Sequence, residues 1–327
     1  MVVNTEKILG VPVADVGLTQ VVDGILAAIS RPRNTLTIVC ANAHTLAVAA
    51  RDAAVRRAFL EAELVLPDGL GTALASWIVG GRLRRKVGGP DVLERLTERA
   101  NRGGGLRYFF LGTTPETLAR IRQRLERDYP NIVVTGVHAP PMGPISTAET
   151  ERIIDKINRS RSDVLWVGMS APKQETWLLA HAQRLNVPVA LAVGAAFDFF
   201  CGNKRRPRWA VRSGLFWLYR LLTEPRRLGR RYLVDLPRFI LLAARHAVGN
   251  GRSESSLAQE APSGSGFDLS PWAAAGLVDL PKRTRADSLA SREESPPPAP
   301  EIRSAHLIDP STASHLAATK PGKSTRA

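Results

Sequence analysis

Residues 107–129 read RYFFLGTTPETLARIRQRLERDY, which joins a short apolar strand to an amphipathic helix. The run RYFFLG is nearly all apolar, as expected for a strand that is buried on both faces. After it, Leu118, Ile121 and Leu125 recur at helical spacing. Thr114 followed by proline is typical of a helix N-terminus, because the threonine can cap the first turn. This stretch therefore predicts one strand–helix unit.

Similar apolar runs recur on both sides of this unit, with helical patterns between them. They are LTIVCA (36–41), LVLP (64–67), IVVTGV (132–137), VLWVG (164–168) and VALAVG (189–194). A further helix is predicted at STAETERIIDKINRS, which Ser146 opens and where Glu149 completes a capping box. Strands that alternate with helices predict an α/β fold, in which helices flank a parallel sheet.

The composition changes twice after residue 200. We predict a core over residues 1–200, where the strand and helix patterns lie. Residues 201–250 are basic and helical and are predicted to form an appendage. Residues 251–327 are rich in Ser, Pro, Ala and Gly, include SPPPAP and SGSG, and have no sustained apolar period. That composition predicts a disordered tail.

Composition also argues against several classes of protein. Cys40 and Cys201 have no CxxC partner, which disfavours a disulfide scaffold or cysteine-rich metal site and favours a reducing compartment. No signal peptide is predicted, because the chain opens without a basic region followed by a long apolar stretch. The apolar runs are shorter than the roughly 20 residues of a membrane span. We therefore expect a protein that is soluble or lies on a membrane without crossing it.

The positive charge is concentrated in the predicted appendage. Residues 201–250 hold twelve Lys or Arg against two acidic residues, which supplies +10 of the net +15. Such a segment can face nucleic acid, anionic lipid or a phosphorylated substrate. A solvated helix face is the alternative, although aromatic and aliphatic residues are interleaved with the arginines.

Polar and glycine residues follow the predicted strands, at the edge where ligands bind in an open parallel sheet. These candidates are Asn42, Asp68, Gly112, Thr113, Gly168, Lys173, Gln174, Glu175 and Asp198. Asp68 is placed to act as a general base, although Asp-Gly is also typical of a simple turn. Gly112 and Thr113 could present backbone N–H groups to a phosphate, or only start a helix. The run 173–175 could bind sugar hydroxyls and a phosphate, or only open its helix.

Signatures of cofactor and metal binding are missing. The spacing GxGxxG and the P-loop spacing do not occur, which weighs against an NAD-dependent oxidoreductase. His44, His138 and His181 are scattered without metal-ligand spacing. We therefore predict neither a metal nor a cofactor.

Several motifs occur in the order found in one bacterial enzyme family. They are ILGVPVADV, Asn42-Ala43, Pro67-Asp68-Gly69, KVGGPDVL, FFLGTTPE, DVLWVGMSAPKQETW, GAAFDFFCGNKRRPRW and GLFWLYRLLTEPRRLGRRY. On these motifs, over about residues 1–245, the chain resembles the WecG/TagA/CpsF family of bacterial glycosyltransferases. The resemblance implies a metal-independent, inverting transferase with a Rossmann-like core. It also implies UDP-sugar donors and acceptors linked to undecaprenyl diphosphate.

The same resemblance implies roles for individual residues. Asp68 matches the general base of the family, and Asn42 matches a residue near the acceptor pocket. Gln174 and Glu175 match a motif on the nucleotide side. Residues 206–231 match an arginine-rich appendage that serves membrane attachment and the diphosphate.

The chain departs from the family pattern at several positions. Cys40 and His44 replace residues that are usually polar or acidic, which bears on the choice of acceptor. Lys86, which we include among the substrate-binding candidates, stands where arginine is common. Arg206 replaces a small residue, and Phe216 replaces a glutamate, which bears on the geometry of the appendage.

These observations predict a transferase of cell-surface or extracellular polysaccharide biosynthesis. Asp68 would take the proton of the attacking hydroxyl, and Arg220, Arg227 and Arg230 would stabilise the departing diphosphate. The expected partners are a UDP-sugar, an undecaprenyl-diphosphate-linked acceptor and an anionic membrane surface, with a homo-oligomer left open and nucleic acid not expected. The expected location is cytoplasmic, at the inner face of the cell membrane. The alternative is a nucleic-acid-binding or scaffold protein that uses the basic segment.

One expectation concerns the surface that meets the membrane. Trp209, Phe216, Trp217 and the run 239–242 are predicted to enter the lipid interface while arginines contact lipid phosphates. The alternative is a helical hairpin that packs on the core or forms an oligomer interface.

Overall fold

The computed structural model describes residues 3–31, 34–78, 80–83, 85–141, 143–213, 215–230, 233–234 and 236–250. Within these ranges the side chains of Arg208, Arg212, Arg227, Arg230 and residues 246–250 are also outside the description. The predicted tail over residues 251–327 lies outside the described residues.

Within the described ranges, six strands form one parallel sheet, as the sequence predicts. The strands, in chain order after an N-terminal hairpin of β1 (Thr5–Ile8) and β2 (Val11–Ala14), are β3 (Leu36–Ala41), β4 (Leu64–Pro67), β5 (Leu106–Gly112), β6 (Ile132–His138), β7 (Val164–Gly168) and β8 (Val189–Ala192). Their order across the sheet is β4-β3-β8-β7-β5-β6. Because all neighbours are parallel, every carboxyl end lies at one edge.

Helices cover both faces of this sheet, which makes the fold α/β and Rossmann-like. They are α1 (Leu18–Ser30), α2 (Ala43–Ala49), α3 (Ala53–Glu61), α4 (Leu70–Ile78), α5 (Gly89–Arg102), α6 (Pro115–Asp128), α7 (Thr147–Ser160), α8 (Lys173–His181), α9 (Ala196–Phe200), α10 (Arg208–Arg212), α11 (Phe216–Thr223), α12 (Pro225–Arg230) and α13 (Leu236–Asn250). A short 3-10 helix spans Ala182–Arg184. The predicted N-caps are confirmed, since Thr114 accepts from the Thr117 N–H and Ser146 from the Glu149 N–H. The full capping box at Ser146 does not form, because the Glu149 side chain lies 2.9 Å from His138 Nε2 instead.

The sheet divides the core into two apolar layers. Trp166 and Tyr108 lie on one side, with their rings 5.5 Å apart in an edge-to-face arrangement. Phe109 and Leu165 lie on the other side. The strands β3, β4, β7 and β8 are buried at every position, which explains why their sequences are almost entirely apolar. The exception is Thr37 in β3, whose backbone N–H donates to Glu63 Oε2.

Three strands differ from the prediction. The hairpin β1–β2 was not predicted, and its turn places Leu9 and Gly10 at φ 51° and 80°, as a tight primed turn requires. Strand β8 ends at Ala192 rather than at residue 194, because Gly194 turns away with φ 59°. Both differences lie in tight turns.

The last helix, α13, packs on α2 and α4 rather than standing free. Phe239 and Ala243 are fully buried in that contact, whereas Leu241 is 63% exposed. The expectation that Phe239 enters the lipid interface is therefore wrong in this structure, because its ring belongs to the protein core.

Candidate active site

Asp68 lies immediately beyond β4, at the carboxyl edge of the sheet. Its backbone N–H donates to the Ala41 carbonyl at 2.8 Å, which ties it to the end of β3. Thr72, in the first turn of α4, donates from Oγ1 to the carbonyls of both Ala41 and Asp68. Gly69 has φ 90°, so the chain can turn from the strand into α4 directly after the carboxylate. These bonds fix the backbone of Asp68.

The side chain of Asp68 lies over the start of α5. A Cβ placed on Gly88, which precedes this helix, would be only 2.6 Å from Asp68 Oδ1. Asp91, in the first turn of α5, accepts from the Gly88 N–H at 3.3 Å. A second glycine, Gly89, lets the helix approach the end of β8, since its Cβ would be 2.6 Å from the Val193 carbonyl oxygen. The site therefore needs glycine at both positions.

The pKa of Asp68 is set by burial and by charges of both signs. Burial raises the pKa of this carboxyl, Lys86 opposes that rise, and Asp91 adds to it. Arg206 and Arg220 also lower the pKa. A half-buried carboxylate with a raised pKa and nearby cations can accept a proton from a substrate hydroxyl.

Two arginines of the basic segment lie near this carboxylate. Arg206 pairs with Asp91 Oδ1 at 2.7 Å, and its guanidinium carbon lies 5.7 Å from the centre of the Phe216 ring. Arg220 lies 5.3 Å from the Phe199 ring centre and 3.6 Å from Glu224 Oε1. Among the described atoms, Nε of Arg206 and both Nε and Nη2 of Arg220 are buried without a hydrogen-bond partner. Such guanidinium groups can bind a phosphate oxygen.

Lys204 connects the basic segment to the core. Its Nζ lies 3.1 Å from Asp198 Oδ2 and 3.3 Å from Glu224 Oε2. Asp198, a predicted substrate-binding residue, is therefore ion-paired within the protein.

Gln174 and Glu175 are almost fully buried at the start of α8. Gln174 accepts from the Gly194 N–H at 3.0 Å and donates to Glu175 Oε1 at 2.8 Å. This pair joins the region beyond β7 to the turn beyond β8. Lys173 points elsewhere, since its Nζ donates to the Gly143 carbonyl. Gln174 and Glu175 therefore lie in the interior, whereas Lys173 lies at the surface.

The glycines after β5 and β7 are explained by close packing. A Cβ on Gly112 would lie 2.6 Å from the Gly168 carbonyl carbon, and a Cβ on Gly168 would lie 2.3 Å from the Phe197 ring. Thr113 adopts a left-handed φ of 54° between Gly112 and the cap of α6. A role for this turn in phosphate binding remains a prediction.

Asn42 caps α2 at the end of β3. Its Oδ1 accepts from the N–H groups of His44 and Thr45, each at 3.1 Å. Cys40, two residues earlier, is buried, and burial followed by the charges of Asp68 and Glu175 raises the pKa of its thiol. Asn42 is therefore fixed beside the acidic part of the site.

The other predicted arginines cannot be placed as side chains. Arg227 and Arg230 belong to α12, but their side chains lie outside the described part of the chain. In the described ranges we find no group of three His, Cys, Asp or Glu residues arranged to hold a metal ion. Nor does any described helix combine the length and apolar character needed to cross a membrane.

Sequence reasoning did not single out three parts of the site. Arg206 was noticed as a departure from the family pattern and as the start of the appendage range 206–231, but not as a partner of the core, and Asp91 was not singled out at all. The sequence placed Asp91 only in the first turn of a helix, where a carboxylate is favourable whether or not a ligand binds nearby. Lys204 carried no signal beyond its charge.

A carboxylate among cations, at the carboxyl edge of a Rossmann-like sheet, is typical of transferases that act on phosphorylated substrates. Residues 6–253 match the glycosyl transferase WecG/TagA/CpsF family, and the chain belongs to that family. It is therefore a glycosyltransferase, as the motifs predict.

Curated relatives carry a more specific name. A Bacillus spizizenii protein called N-acetylglucosaminyldiphosphoundecaprenol N-acetyl-beta-D-mannosaminyltransferase is 31% identical over 186 residues, or 57% of this chain and 69% of the relative. A Staphylococcus aureus protein of the same name is 29% identical over 246 residues, or 74% of this chain and 94% of the relative. Both relatives are thus named for transfer to a lipid-linked sugar.

Proposed function

We propose that this chain transfers a sugar from a UDP-sugar to a glycan linked to undecaprenyl diphosphate, with inversion and without a metal ion. The product would serve cell-surface or extracellular polysaccharide synthesis. The names of the relatives make N-acetylmannosamine the first donor sugar to test, and N-acetylglucosaminyl diphosphoundecaprenol the first acceptor.

The setting of Asp68 carries this proposal. Its half-buried carboxylate lies at a strand end and within the influence of Lys86, Arg206 and Arg220. Such a transfer needs a base for the sugar hydroxyl and cations for the diphosphate close together in one site. The reaction requires both because a proton leaves the acceptor while negative charge grows on the leaving group.

In the proposed reaction, Asp68 accepts the proton as the acceptor oxygen attacks the anomeric carbon from the face opposite the diphosphate. Base catalysis of this kind contributes about 10²–10⁴-fold to the rate. The bond from the anomeric carbon to the UDP oxygen breaks, and its electron pair leaves with the diphosphate. Arg220, although ion-paired with Glu224, stabilises that charge through N–H groups that lack a hydrogen-bond partner, with Arg227 and Arg230 as further candidates.

The remaining predicted residues take supporting roles in this proposal. Asn42 lies on the acceptor side, and Lys86 and Lys173 supply positive charge at the rim. Gln174 and Glu175 hold the turn at Gly194 in place and so shape the nucleotide side. Gly112, Thr113, Gly168 and Asp198 complete the set of substrate-side candidates.

We place the enzyme on the inner face of the cell membrane, where a lipid-linked acceptor and a nucleotide sugar meet. Residues 1–200 would form the catalytic core, and residues 201–250 an appendage that both attaches to lipid and completes the site. Three residues support this role: Arg206 and Lys204 join the appendage to Asp91 and Asp198 in the core, and Arg220 lowers the pKa of Asp68.

Two substitutions test the proposal with purified enzyme and a soluble, short-chain acceptor. Asp68→Asn should keep UDP binding and lose about 10²–10⁴-fold in kcat. Arg220→Gln should lose turnover, whereas Arg226→Gln, which changes an exposed arginine of α12, should not. Turnover should persist in a chelator. Near-normal turnover of Asp68→Asn would remove Asp68 from the role of base, and no transfer from any UDP-sugar would reject the proposed donor class.

A further inference from the structure

Helix α4 has two chemically different faces. Thr72, Ala75 and Ser76 point into the protein and are fully buried. Leu70, Leu74 and Trp77, at spacings of four and three residues, point outward and are 45%, 38% and 66% exposed. The outward face is therefore an apolar stripe along one side of the helix. Three large apolar side chains that share an exposed helix face usually mark a binding surface.

Helix α13 packs beside this stripe. A Cβ on Gly71 would lie 3.6 Å from Leu236 Cδ1, which shows how closely the two helices approach. Leu241 is 63% exposed on α13, between the exposed residues Arg238 and Arg245. The two helices are in contact, so their exposed side chains belong to neighbouring parts of one surface.

The charged residues of the two segments that form this surface are all basic, and the carboxylate of Glu6 accepts from the Arg82 and Leu83 N–H groups in the loop after α4. Residues 69–90 contain four Lys or Arg and no acidic residue, and residues 236–250 contain two arginines and no acidic residue. Arg82, Arg85 and Lys86, in the loop after α4, are exposed. An apolar stripe with a basic rim is complementary to the interface of an anionic bilayer, where apolar side chains enter the acyl boundary and cations meet lipid phosphates.

Other occupants fit less well. A second copy docked by a twofold axis would bring the same basic residues against each other, with no acidic residue in either segment to pair with them. Nucleic acid would match the charge but not the exposed Leu70, Leu74 and Trp77.

We propose that the surface formed by α4 and α13 lies on an anionic lipid bilayer and turns the site at Asp68 towards the membrane. Helix α4 begins two residues after Asp68, so the carboxylate lies beside the end of the stripe. This inference rests on the proposed function for its purpose, since a lipid-linked acceptor must reach Asp68 from the bilayer. Its apolar stripe on α4 belongs to the core, and α13 is the last helix of the appendage over residues 201–250.

The first test removes the apolar stripe. Flotation with phosphatidylglycerol–phosphatidylcholine vesicles at low salt compares the double variant Leu74→Ser/Trp77→Ser with a matched control. The control is Leu60→Ser/Val133→Ser, which changes two apolar residues elsewhere on the protein that are 50% and 54% exposed. We expect the first pair to weaken vesicle binding by about tenfold or more and the control pair to change it by less than about twofold. Thermal midpoints check that both variants fold.

The second test removes charge instead of apolar area. Arg82→Gln/Arg238→Gln should weaken binding to anionic vesicles by about tenfold and leave binding to pure phosphatidylcholine unchanged. The matched control Arg122→Gln/Arg152→Gln changes two exposed arginines on α6 and α7, the helices beside the far edge strand β6, and should have little effect. This arm remains informative if the serine pair does not fold.

The outcomes separate this inference from the proposed function. Weaker vesicle binding and slower transfer to acceptor embedded in vesicles, with unchanged transfer to a soluble acceptor, would support the bilayer surface. Unchanged vesicle binding in both the serine pair and the Arg82→Gln/Arg238→Gln pair, or an equal loss in the controls, would overturn it. So would a change of oligomeric state in the serine pair with unchanged vesicle binding, which would assign the surface to a second copy. Failure of the native enzyme to use any soluble acceptor would count against the proposed function alone.

Discussion

Replacing Gly88 by alanine should damage catalysis while leaving the fold in place. Gly88 has φ −93° and ψ 158°, which an alanine adopts without strain. The added methyl group meets a side chain instead, because its Cβ would lie 2.6 Å from Asp68 Oδ1 and 3.4 Å from Asp91 Oδ2. The substitution therefore acts on the proposed base and not on the backbone.

The size of the effect follows from these distances. Ordinary van der Waals contact begins near 3.4 Å, so the Asp68 oxygen must move by about 0.8 Å. Misplacing a reacting group by about 1 Å lowers the rate by about 100-fold. We expect kcat to fall by roughly 30- to 100-fold, and the loss of stability to stay near the roughly 1 kcal/mol that separates alanine from a better N-cap.

The assay is steady-state transfer to a soluble acceptor, with thermal unfolding measured on the same samples. Gly103→Ala is the matched control, because Gly103 has φ −102° and its nearest neighbour would be at 3.4 Å. In an Asp68→Asn background, Gly88→Ala should cause little further loss, since both changes act through one carboxylate. Turnover of Gly88→Ala within about twofold of native would refute this account of how Asp68 is positioned.

Three further outcomes are expected. Burial raises the pKa of Glu63 from 4.5 to about 7. Because the folded protein then binds this proton more tightly than the unfolded chain, the native protein should lose about 3 kcal/mol of stability relative to Glu63→Gln as pH rises from 4.5 through 7, measured by denaturant titration. The control Glu61→Gln, at an exposed site, should show the same pH dependence as the native protein. Arg206→Gln should move the acidic limb of the kcat/KM profile to higher pH, because Arg206 lowers the pKa of Asp68, and Arg206→Lys should move it less. Ending the chain at Asn250 should preserve turnover on a soluble acceptor, and a large loss there would give the tail a part in the site.

The sheet was predictable because its strands are buried on both faces. Runs such as LVLP and VLWVG contain no polar residue. Short apolar runs that recur at regular intervals along a chain are typical of strands buried on both faces of a parallel sheet. The hairpin β1–β2 could not be found in this way. Its strands are four residues long, and Glu6 and Lys7 interrupt the apolar pattern. The order of the strands across the sheet also required the structure.

The candidate site was only partly predictable. Residues directly after strands, such as Asp68 and Asn42, could be found because parallel strands end at one edge. Arg206 and Asp91 could not be paired from sequence, because 115 residues separate them and neither belongs to a spacing motif. Whether Gln174 faces a ligand or the interior was likewise undecidable, since a helix start permits both.

Strand β8 is the last strand of the sheet to be synthesised, although it occupies a position inside the sheet between β3 and β7. Until it arrives, the strands β4–β3 and β7–β5–β6 are separate pieces, each with an unpaired apolar edge. Its insertion brings together Thr35 and Leu185, which are 150 positions apart, and pairing at such distance is slow. The growing polypeptide is therefore most exposed to aggregation just before β8 emerges from the ribosome, and no fragment that stops short of Val189 can build the active site.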